Sequence, residues 1–360
     1  MVIVIDCRMI DSSGIGVYLR GCLPWFIKTN NNFILVGKYQ KLKTYESYSN
    51  VKIINCSVKP FTLMELLFFP NKIKTEINKA DIFFSPYINI PCGLKIQIYT
   101  TIHDIIFPDL PELTNKVTLA VRMWFYRRAY KISKKIFTVS NFSKSRIEYY
   151  LGTEKPIIVT YSAIQSIFID YKNENKLTQK NDTIIFIGNI KKHKGLDCLL
   201  EAFHLLRKDG FSNKLLIVGS NDNFRSSDKN INKKIDSIDK DAVLFTGFIS
   251  DEKLMEYLSS AALLVQPSLY EGFCLPPLEA MILGTHALIS DIPVLKEVYS
   301  DFPVTFFKAS DSIDLKEKMI HLLHNKAAPS VCLPEHLVTK YTFEKTAAVI
   351  LENLNYIKGR

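Results

Sequence analysis

Short apolar segments that alternate with helical patterns constrain the fold of this chain most strongly. In the first half, helical patterns cover about residues 16–28, 116–132 and 142–151. The predicted strands of this half are Val2–Ile5, Phe33–Val36, Val51–Asn55, Asp81–Ser85, Gln97–Ile102, Lys135–Ser140 and Ile157–Thr160. Such alternation predicts a parallel sheet covered by helices on both faces.

A polar stretch at residues 170–182 interrupts the alternation, and its near lack of apolar residues predicts an interdomain linker. The pattern then restarts with predicted strands Thr183–Ile187, Lys214–Val218, Ala242–Thr246, Ala262–Val265, Ala287–Ile289 and Val304–Phe307. Predicted helices follow near 196–208, 253–259, 277–283, 294–299, 314–324 and 343–356. We therefore expect an N-terminal domain at 1–165, a linker at 166–182 and a second domain at 183–340. Both should be Rossmann-like, doubly wound α/β domains that face a cleft.

Composition narrows the class of protein. No apolar run approaches the roughly 20 residues that a membrane-spanning helix needs. The first residues, Met-Val-Ile-Val-Ile-Asp-Cys, are typical of a strand rather than of a signal peptide. Seven scattered cysteines without a C-x-x-C pair argue against zinc and against a disulfide framework. We therefore expect a cytoplasmic protein.

The net charge of +10 is unevenly distributed. Residues 1–165 contain 22 Lys and Arg against 11 Asp and Glu, whereas residues 166–360 contain 24 against 25. No nucleic-acid-binding motif is present, so an anionic membrane surface or a lipid-linked substrate suits the basic half better. The segment 122–135 interleaves basic and aromatic residues. It suits either a helix at a membrane interface, acting through Arg127, Arg128, Lys134 and Lys135, or an ordinary, partly buried surface helix.

The segment from Glu271 to Glu279 carries the chemistry. Two carboxylates lie eight positions apart, separated by a glycine, an apolar turn and a proline pair that can open a helix. Glu271 is thus expected in a loop and Glu279 just inside a helix, beyond the end of a predicted strand. In isolation, such a pair is also typical of a capping pair on a solvated surface.

The amides of Phe273, Cys274 and Leu275 should face the same pocket as the two carboxylates. Amides near a helix start suit a phosphate, and carboxylates suit hydroxyl groups. One pocket that offers both predicts a nucleotide-sugar site.

The segment Pro267–Met281 resembles the signature of retaining glycosyltransferases of family 4, which have the GT-B fold; that signature usually has Gly where this chain has Cys274. Further matching segments occur in the expected order. They are Gly14-Ile-Gly16, His103-Asp104, Thr138–Ser143, Gly188–Lys194 and Thr246–Asp251. The resemblance implies a last helix, within 341–360, that packs back on the N-terminal domain.

In the N-terminal half, the resemblance implies that Gly14 and Gly16 lie over the donor diphosphate and sugar, although G-x-G is also typical of a plain tight turn. It places His103 beside the transferred sugar, where the histidine could donate a hydrogen bond; alone, His103 would suit a structural role. Asp104 should either orient His103 or cap the following loop. Ser140 is predicted to be a helix N-cap.

In the second half, the resemblance implies that the loop Gly188–Gly195 holds the donor diphosphate. Lys194 matches the family's lysine, whereas Asn189 and His193 stand near the position of its arginine. Gly219, after the next predicted strand, is expected to line the nucleotide pocket.

These features predict a retaining hexosyltransferase with Lys194, Glu271 and His103 as catalytic residues and Glu279 on the ribose hydroxyls. The resemblance implies metal independence, so no metal or cofactor is expected. The expected partners are a nucleoside-diphosphate sugar, with GDP-mannose or dTDP-rhamnose favoured, and a glycan or lipid-linked acceptor in bacterial surface-polysaccharide synthesis. The alternatives are an epimerase or phosphorylase of similar shape, and a non-catalytic sugar-nucleotide or glycan-binding relative.

Overall fold

The computed structural model describes residues 1–174, 179–219, 241–324 and 331–354, without the side chains of Leu63 and Met64. The chain divides into two compact units. Unit 1 comprises Met1–Gln165 together with Tyr341–Arg360, and unit 2 comprises Ser166–Lys340.

Unit 1 is built on a seven-stranded sheet in the order β3-β2-β1-β4-β5-β6-β7, and every neighbouring pair is parallel. The strands are β1 Val2–Asp6, β2 Asn32–Gly37, β3 Val51–Asn55, β4 Ile82–Ser85, β5 Gln97–Thr101, β6 Lys135–Thr138 and β7 Ile157–Val159. The helices are α1 Ser13–Ile27, α2 Tyr39–Leu42, α3 Leu63–Leu67, α4 Asn71–Ile77, α5 Ile106–Asp109, α6 Lys116–Ile132 and α7 Asn141–Leu151.

Unit 2 has a six-stranded parallel sheet in the order β10-β9-β8-β11-β12-β13. The strands are β8 Thr183–Ile187, β9 Lys214–Val218, β10 Val243–Gly247, β11 Leu263–Gln266, β12 Ala287–Ser290 and β13 Thr305–Phe307. The helices are α8 Ser166–Glu174, α9 Leu196–Lys208, α10 Asp251–Ser260, α11 Pro276–Ile282, α12 Pro293–Tyr299, α13 Ser312–His324 and α14 Glu335–Val338.

Hydrophobic spacing explains how α9 covers the second sheet. Leu196, Leu199, Leu200, Phe203 and Leu206 recur at intervals of one, three and four residues and are all buried. They pack into one apolar cluster with residues of the sheet, as an amphipathic helix does on a doubly wound sheet.

The last helix, α15 Phe343–Asn353, belongs to unit 1 and packs on α1. A Cβ at Gly21 would lie 2.2 Å from the Phe343 ring, so the two helices touch at a point that needs glycine. The Lys135 ammonium donates to Asn353 Oδ1 at 3.0 Å. Residues 355–360, which include the end of the predicted last helix, lie outside the described residues.

The α/β prediction is confirmed, and each predicted strand is present to within two residues at either end. The predicted linker at 166–182 is wrong in its first part, because α8 occupies Ser166–Glu174 and Phe168 is buried in unit 2. Residues 175–178 of that stretch lie outside the described residues. Helices α2, α3, α4, α5 and α14 were not predicted, because they are too short to show a helical period.

Within the described ranges, no helix combines the length and apolarity that crossing a bilayer requires.

Candidate functional site

The segment from Glu271 to Glu279 lies beyond the carboxyl end of β11, where parallel sheets bind ligands. Helix α11 begins with Pro276 and Pro277, whose missing amide hydrogens cost nothing in a first turn. This start leaves Glu271 in the loop and puts Glu279 in the first turn of α11.

Lys194 and Glu271 form an ion pair across two loops of unit 2. The Lys194 ammonium lies 2.6 Å from Glu271 Oε1, and the Ser268 hydroxyl donates to the same oxygen at 2.7 Å. Both side chains are largely shielded from solvent, with 21% and 10% exposed. A shielded lysine at a strand end is suited to bind an anion.

Backbone packing sets the position of Lys194. It ends a 3₁₀ turn, Lys192–Lys194, and Gly195 follows with φ +69°. A Cβ at Gly195 would lie 1.8 Å from the Pro267 carbonyl oxygen, so only glycine lets the two loops approach this closely. The Leu269 amide donates to the His193 carbonyl at 2.8 Å and ties the loops again.

His193, which stands near the position of the family's arginine, carries no charge near pH 7. Burial, and then the neighbouring Lys194 charge, lower the pKa of His193 to about 4. The imidazole is therefore neutral near pH 7, and Lys194 carries the charge next to Glu271. Asn189 is exposed on the same loop.

The carboxyl group of Glu279 is buried in α11. Burial, and then the Asp251 charge at the start of α10, raise the pKa of Glu279 to about 8. The group is thus mostly protonated near pH 7, and in that form it both donates and accepts a hydrogen bond. This chemistry suits a pair of neighbouring hydroxyl groups.

Cys274 adopts φ +76°, the region that favours glycine. The family's usual glycine at this position therefore has a backbone cause. The Tyr299 hydroxyl donates to the Cys274 carbonyl, and burial raises the pKa of the Cys274 thiol well above its usual value. A neutral, buried thiol packs as a small apolar group beside buried Phe273. Leu275 is the N-cap residue of α11.

Three glycines end three neighbouring strands of the second sheet. Gly188 donates to Val218 O at 2.9 Å, and Gly219 donates to Gly247 O at 3.3 Å. A Cβ at Gly219 would lie 2.1 Å from the Gly188 carbonyl oxygen. The edge of β8, β9 and β10 therefore presents backbone rather than side chains, and Gly247 has open space where its Cβ would be. Gly247 falls in a family-like segment but was not singled out from the sequence.

His103 follows β5 in unit 1, and its ring is neutral. Burial lowers the pKa of His103 to about 4. Nε2 lies 2.9 Å from the Pro86 carbonyl. Since a carbonyl only accepts, Nε2 carries the proton and Nδ1 is left as an acceptor. The expectation of a His103 that donates into the cleft is therefore corrected: Nε2 donates to Pro86, and Nδ1 is available as an acceptor.

Two residues of unit 1, Ser143 and Tyr18, contact His103. The Ser143 hydroxyl donates to the His103 carbonyl at 3.0 Å, and Tyr18 meets the imidazole edge-on with ring centroids 5.0 Å apart. Ser140 caps α7 by accepting from the Ser143 amide, which confirms the N-cap prediction. Asp104 accepts from the Ile106 amide at 3.2 Å and thereby caps the following turn.

Gly14 and Gly16 lie inside the first turn of α1 rather than in a turn before it. A Cβ at Gly16 would lie 2.5 Å from the Ile10 carbonyl oxygen, so Gly16 allows a close approach of the chain to itself. Gly14 has open space around its Cβ position.

A buried polar cluster that was not predicted lies at the carboxyl ends of β1 and β4, where the strand order of unit 1 reverses. Arg8 binds Asp6 in bidentate fashion at 2.9 and 2.5 Å and reaches Glu65 Oε1 at 2.7 Å. Asn89 donates to Glu65 Oε2 at 3.0 Å, and Tyr87 donates to Asp6 at 3.0 Å. The sequence signal for this cluster was the presence of two charged residues, Asp6 and Arg8, directly at a strand end.

Among the described residues, no three His, Cys, Asp or Glu side chains come together in a way that could hold a metal ion.

The family profile described as "Glycosyl transferases group 1" matches residues 168–335, nearly the whole of unit 2. The O-antigen chain mannosyltransferase B of Escherichia coli is 28% identical over 62% of this chain and 60% of its own length. The O-antigen chain mannosyltransferase RfbU of Salmonella typhimurium is 30% identical over 56% of this chain and 54% of its own length. The chain thus spans little more than half the length of these relatives.

Two solved structures share the fold over nearly the full chain. HepE of Anabaena, solved in complex with UDP and glucose, has a TM-score of 0.71 at 15% identity and covers 98% of this chain and 99% of its own. Sucrose-phosphate synthase of Thermosynechococcus elongatus has a TM-score of 0.69 at 15% identity, with 98% of each chain covered. Residues 168–335 thus match the group 1 glycosyltransferases, and the chain has the GT-B fold of these solved structures.

Proposed function

We propose that this protein is a retaining hexosyltransferase that uses a nucleoside-diphosphate sugar. The observation that carries the proposal is the Lys194–Glu271 pair, held 2.6 Å apart beside buried Glu279 in the unit that matches the family. The Lys194 ammonium offers a partner for the diphosphate, the Glu271 carboxylate for the sugar, and the protonated Glu279 carboxyl group for the ribose. The backbone at the neighbouring glycines is not covered by side chains.

The role of each residue follows from its chemistry. Lys194 binds the diphosphate and stabilises the negative charge that grows as the bond from the anomeric carbon to the phosphate oxygen breaks. Glu279 binds the ribose hydroxyls, and Glu271 binds hydroxyls of the transferred sugar while orienting Lys194. The amides of Phe273, Cys274 and Leu275 and the glycine edge of Gly188 and Gly219 contact the phosphates and sugar. By resemblance to the family, Gly14 and Gly16 serve the same donor.

His103 contributes an acceptor rather than a charge. Its Nδ1 accepts a hydrogen bond from a hydroxyl of the sugar in transfer. The leaving diphosphate keeps the electron pair of the broken bond. The acceptor oxygen bonds the anomeric carbon on the same face, and its proton passes to a phosphate oxygen of the leaving group. By resemblance to the family, neither a metal nor a covalent sugar–enzyme intermediate takes part.

Mannose is the favoured sugar, because two relatives are named as O-antigen mannosyltransferases. We propose GDP-mannose as the first donor and dTDP-rhamnose as the second. The acceptor is a glycan or lipid-linked glycan of bacterial surface polysaccharide, met at the cytoplasmic face of the membrane.

A donor panel tests the proposal. Purified protein is incubated with GDP-mannose, dTDP-rhamnose and UDP-glucose, with and without chelator, while released nucleoside diphosphate is measured. Binding of GDP, dTDP and UDP is measured in parallel by thermal shift. We expect one donor to be cleaved, chelator to leave the rate unchanged, and Lys194→Met to abolish cleavage. Failure of all three nucleotides to bind would refute the nucleotide-sugar site, and an inverted product anomer would refute retention.

A further inference from the structure

Helix α6 of unit 1 exposes a stripe of apolar side chains. Val117, Val121 and Trp124 are 75%, 50% and 49% exposed. Their spacing of four and three residues places them on one face of the helix. Arg127 and Lys131, both exposed, continue the same face toward the C-terminal end. The whole of α6 holds five basic residues and no acidic one.

Four other cations of this region, Arg122, Arg128, Lys134 and Lys135, are engaged within unit 1. The Arg122 guanidinium lies 3.8 Å from the centre of the Phe107 ring. Arg128 donates to the Ile90 carbonyl at 2.6 Å, Lys134 donates to Gln97 at 3.1 Å, and Lys135 donates to Asn353. Arg127 and Lys131 are the exposed cations of the stripe, while the expectation that Arg128, Lys134 and Lys135 attract a membrane stays a prediction.

The loop Pro86–Pro91 connects this helix to His103. Its Pro86 carbonyl accepts from His103 Nε2, and its Ile90 carbonyl accepts from Arg128 of α6. Asn89 of the same loop donates to Glu65 on α3. The end of α3 exposes a second apolar pair, Leu67 at 60% and Phe68 at 65%. One short loop thus links two exposed apolar surfaces to the histidine.

We propose that the face of α6 formed by Val117, Val121, Trp124, Arg127 and Lys131 docks on an anionic lipid bilayer. Apolar side chains with a tryptophan suit the boundary between acyl chains and headgroups, and the two cations suit anionic headgroups. A second copy of this chain is the poorer occupant, because two faces free of acidic residues would repel each other.

The purpose of this docking rests on the proposed function. A lipid-linked acceptor held in the bilayer would meet unit 1 at α6, and the loop Pro86–Pro91 joins that surface to His103. The docking face is therefore the surface through which the acceptor is presented.

Vesicle sedimentation without any donor tests the proposal. Vesicles of pure phosphatidylcholine are compared with vesicles that also contain phosphatidylglycerol, at low and high salt. We expect binding to the anionic vesicles that weakens as salt rises, since exposed charges are screened within about 10 Å at 0.1 M. Replacing Val121 and Trp124 by Ser should weaken binding about tenfold or more. Replacing Arg127 and Lys131 by Ser should weaken it similarly and flatten the salt dependence.

Tyr48→Ser is the matched control, because Tyr48 is an aromatic residue 45% exposed beside β3 at the edge of the sheet. It should bind vesicles as the wild type does. Equal binding by the Val121/Trp124 variant and the wild type would overturn the proposal, as would equal binding to neutral vesicles. Self-association abolished by the same variant, without vesicle binding, would show a second copy as the occupant. Nucleotide binding is measured separately, so a failed donor site and a failed docking face give different results.

Discussion

Lys194 Nζ lies 2.6 Å from Glu271 Oε1, although the two residues belong to different loops. The loop after β8 carries the cation, and the loop after β11 carries the carboxylate and Ser268. An anion that binds here meets a lysine already oriented by its partner, so little side-chain entropy is lost on binding. The same anion must share the Lys194 ammonium with Glu271, so the affinity of the site for diphosphate depends on Glu271.

Lys194→Met should weaken binding of nucleoside diphosphate but not of the nucleoside. A hydrogen bond to a charged group contributes about 1.5–3 kcal/mol, which corresponds to about ten- to hundredfold in affinity. Calorimetry with GDP and guanosine measures the difference. Lys192→Met, an exposed neighbour in the same 3₁₀ turn, is the control and should bind as the wild type does. An equal loss in both variants would mean a general charge effect rather than a contact.

Glu279→Gln should change how stability depends on pH. The folded protein holds the pKa of Glu279 at about 8, above its usual 4.5. In the unfolded chain the carboxyl group ionises near its usual value, so it destabilises the wild-type fold progressively as pH rises from about 4.5 to 8. The difference in Tm between Glu279→Gln and wild type should therefore increase across this window. Glu252→Gln, at an exposed position of α10, should show no such trend; parallel curves for Glu279→Gln and wild type would contradict the buried acid.

The Cys274→Gly variant should be more stable than the Cys274→Ala variant, whereas glycine is usually the less stabilising of the two residues. The backbone at Cys274 has φ +76°, where a side chain costs about 1–2 kcal/mol. Cys22 is a buried cysteine inside α1, where glycine is instead less stable than alanine by about 0.5–1 kcal/mol. Urea unfolding of the Gly and Ala variants at Cys274 and at Cys22 gives the sign of the stability difference at each position. The same order at both positions would rule out a backbone cause for glycine in the family.

His103→Ala should keep nucleotide affinity and lose most turnover, because the imidazole is proposed to contact the sugar. The pKa of His103 is lowered to about 4, so the ring stays neutral above about pH 5. The rate should then show no inflection near pH 6.5 that belongs to this histidine. Steady-state rates from pH 5.5 to 8.5, with and without the substitution, provide the check. A wild-type inflection near 6.5 that disappears in His103→Ala would show a histidine that titrates and works as an acid or base.

Gly195→Ala should destabilise the site more than Gly210→Ala. Both glycines have positive φ, +69° and +90°, but only Gly195 would place its Cβ against a backbone oxygen, at 1.8 Å. Alanine at Gly210 meets open space and incurs the conformational cost alone, about 1–2 kcal/mol. Melting temperatures and GDP affinities of the two variants separate the effect of the steric clash with Pro267 from the cost of the positive φ angle. Equal effects on both quantities would show that the contact with Pro267 has little influence on Lys194.

Much of the architecture was predictable because each strand is a short apolar segment with its own boundaries. The start of α11 was predictable because two consecutive prolines are tolerated in a helix only in its first turn. The Lys194–Glu271 pair was not predictable, since it depends on the contact of Gly195 with Pro267, which lies 72 positions away in the chain. No local pattern encodes such a distance.

The protonation states were equally beyond the sequence. From the sequence alone, Glu279 is expected to be a carboxylate and His103 a proton donor. Burial makes the first a mostly protonated acid, and the Pro86 carbonyl fixes the proton of the second on Nε2. The linker was predicted wrongly because Phe168 is the one buried residue of α8.

The packing of α15 on α1 has a consequence for how the protein is made. Unit 1 is split in sequence, and Phe343 reaches Gly21 only after the whole of unit 2, Ser166–Lys340, has been synthesised. At about 5–20 residues per second, the ribosome needs about 10–35 s for that insertion. During this interval the surface of α1 that Phe343 will cover stays open to water and to chaperones. The first unit to be translated is therefore the last to be completed.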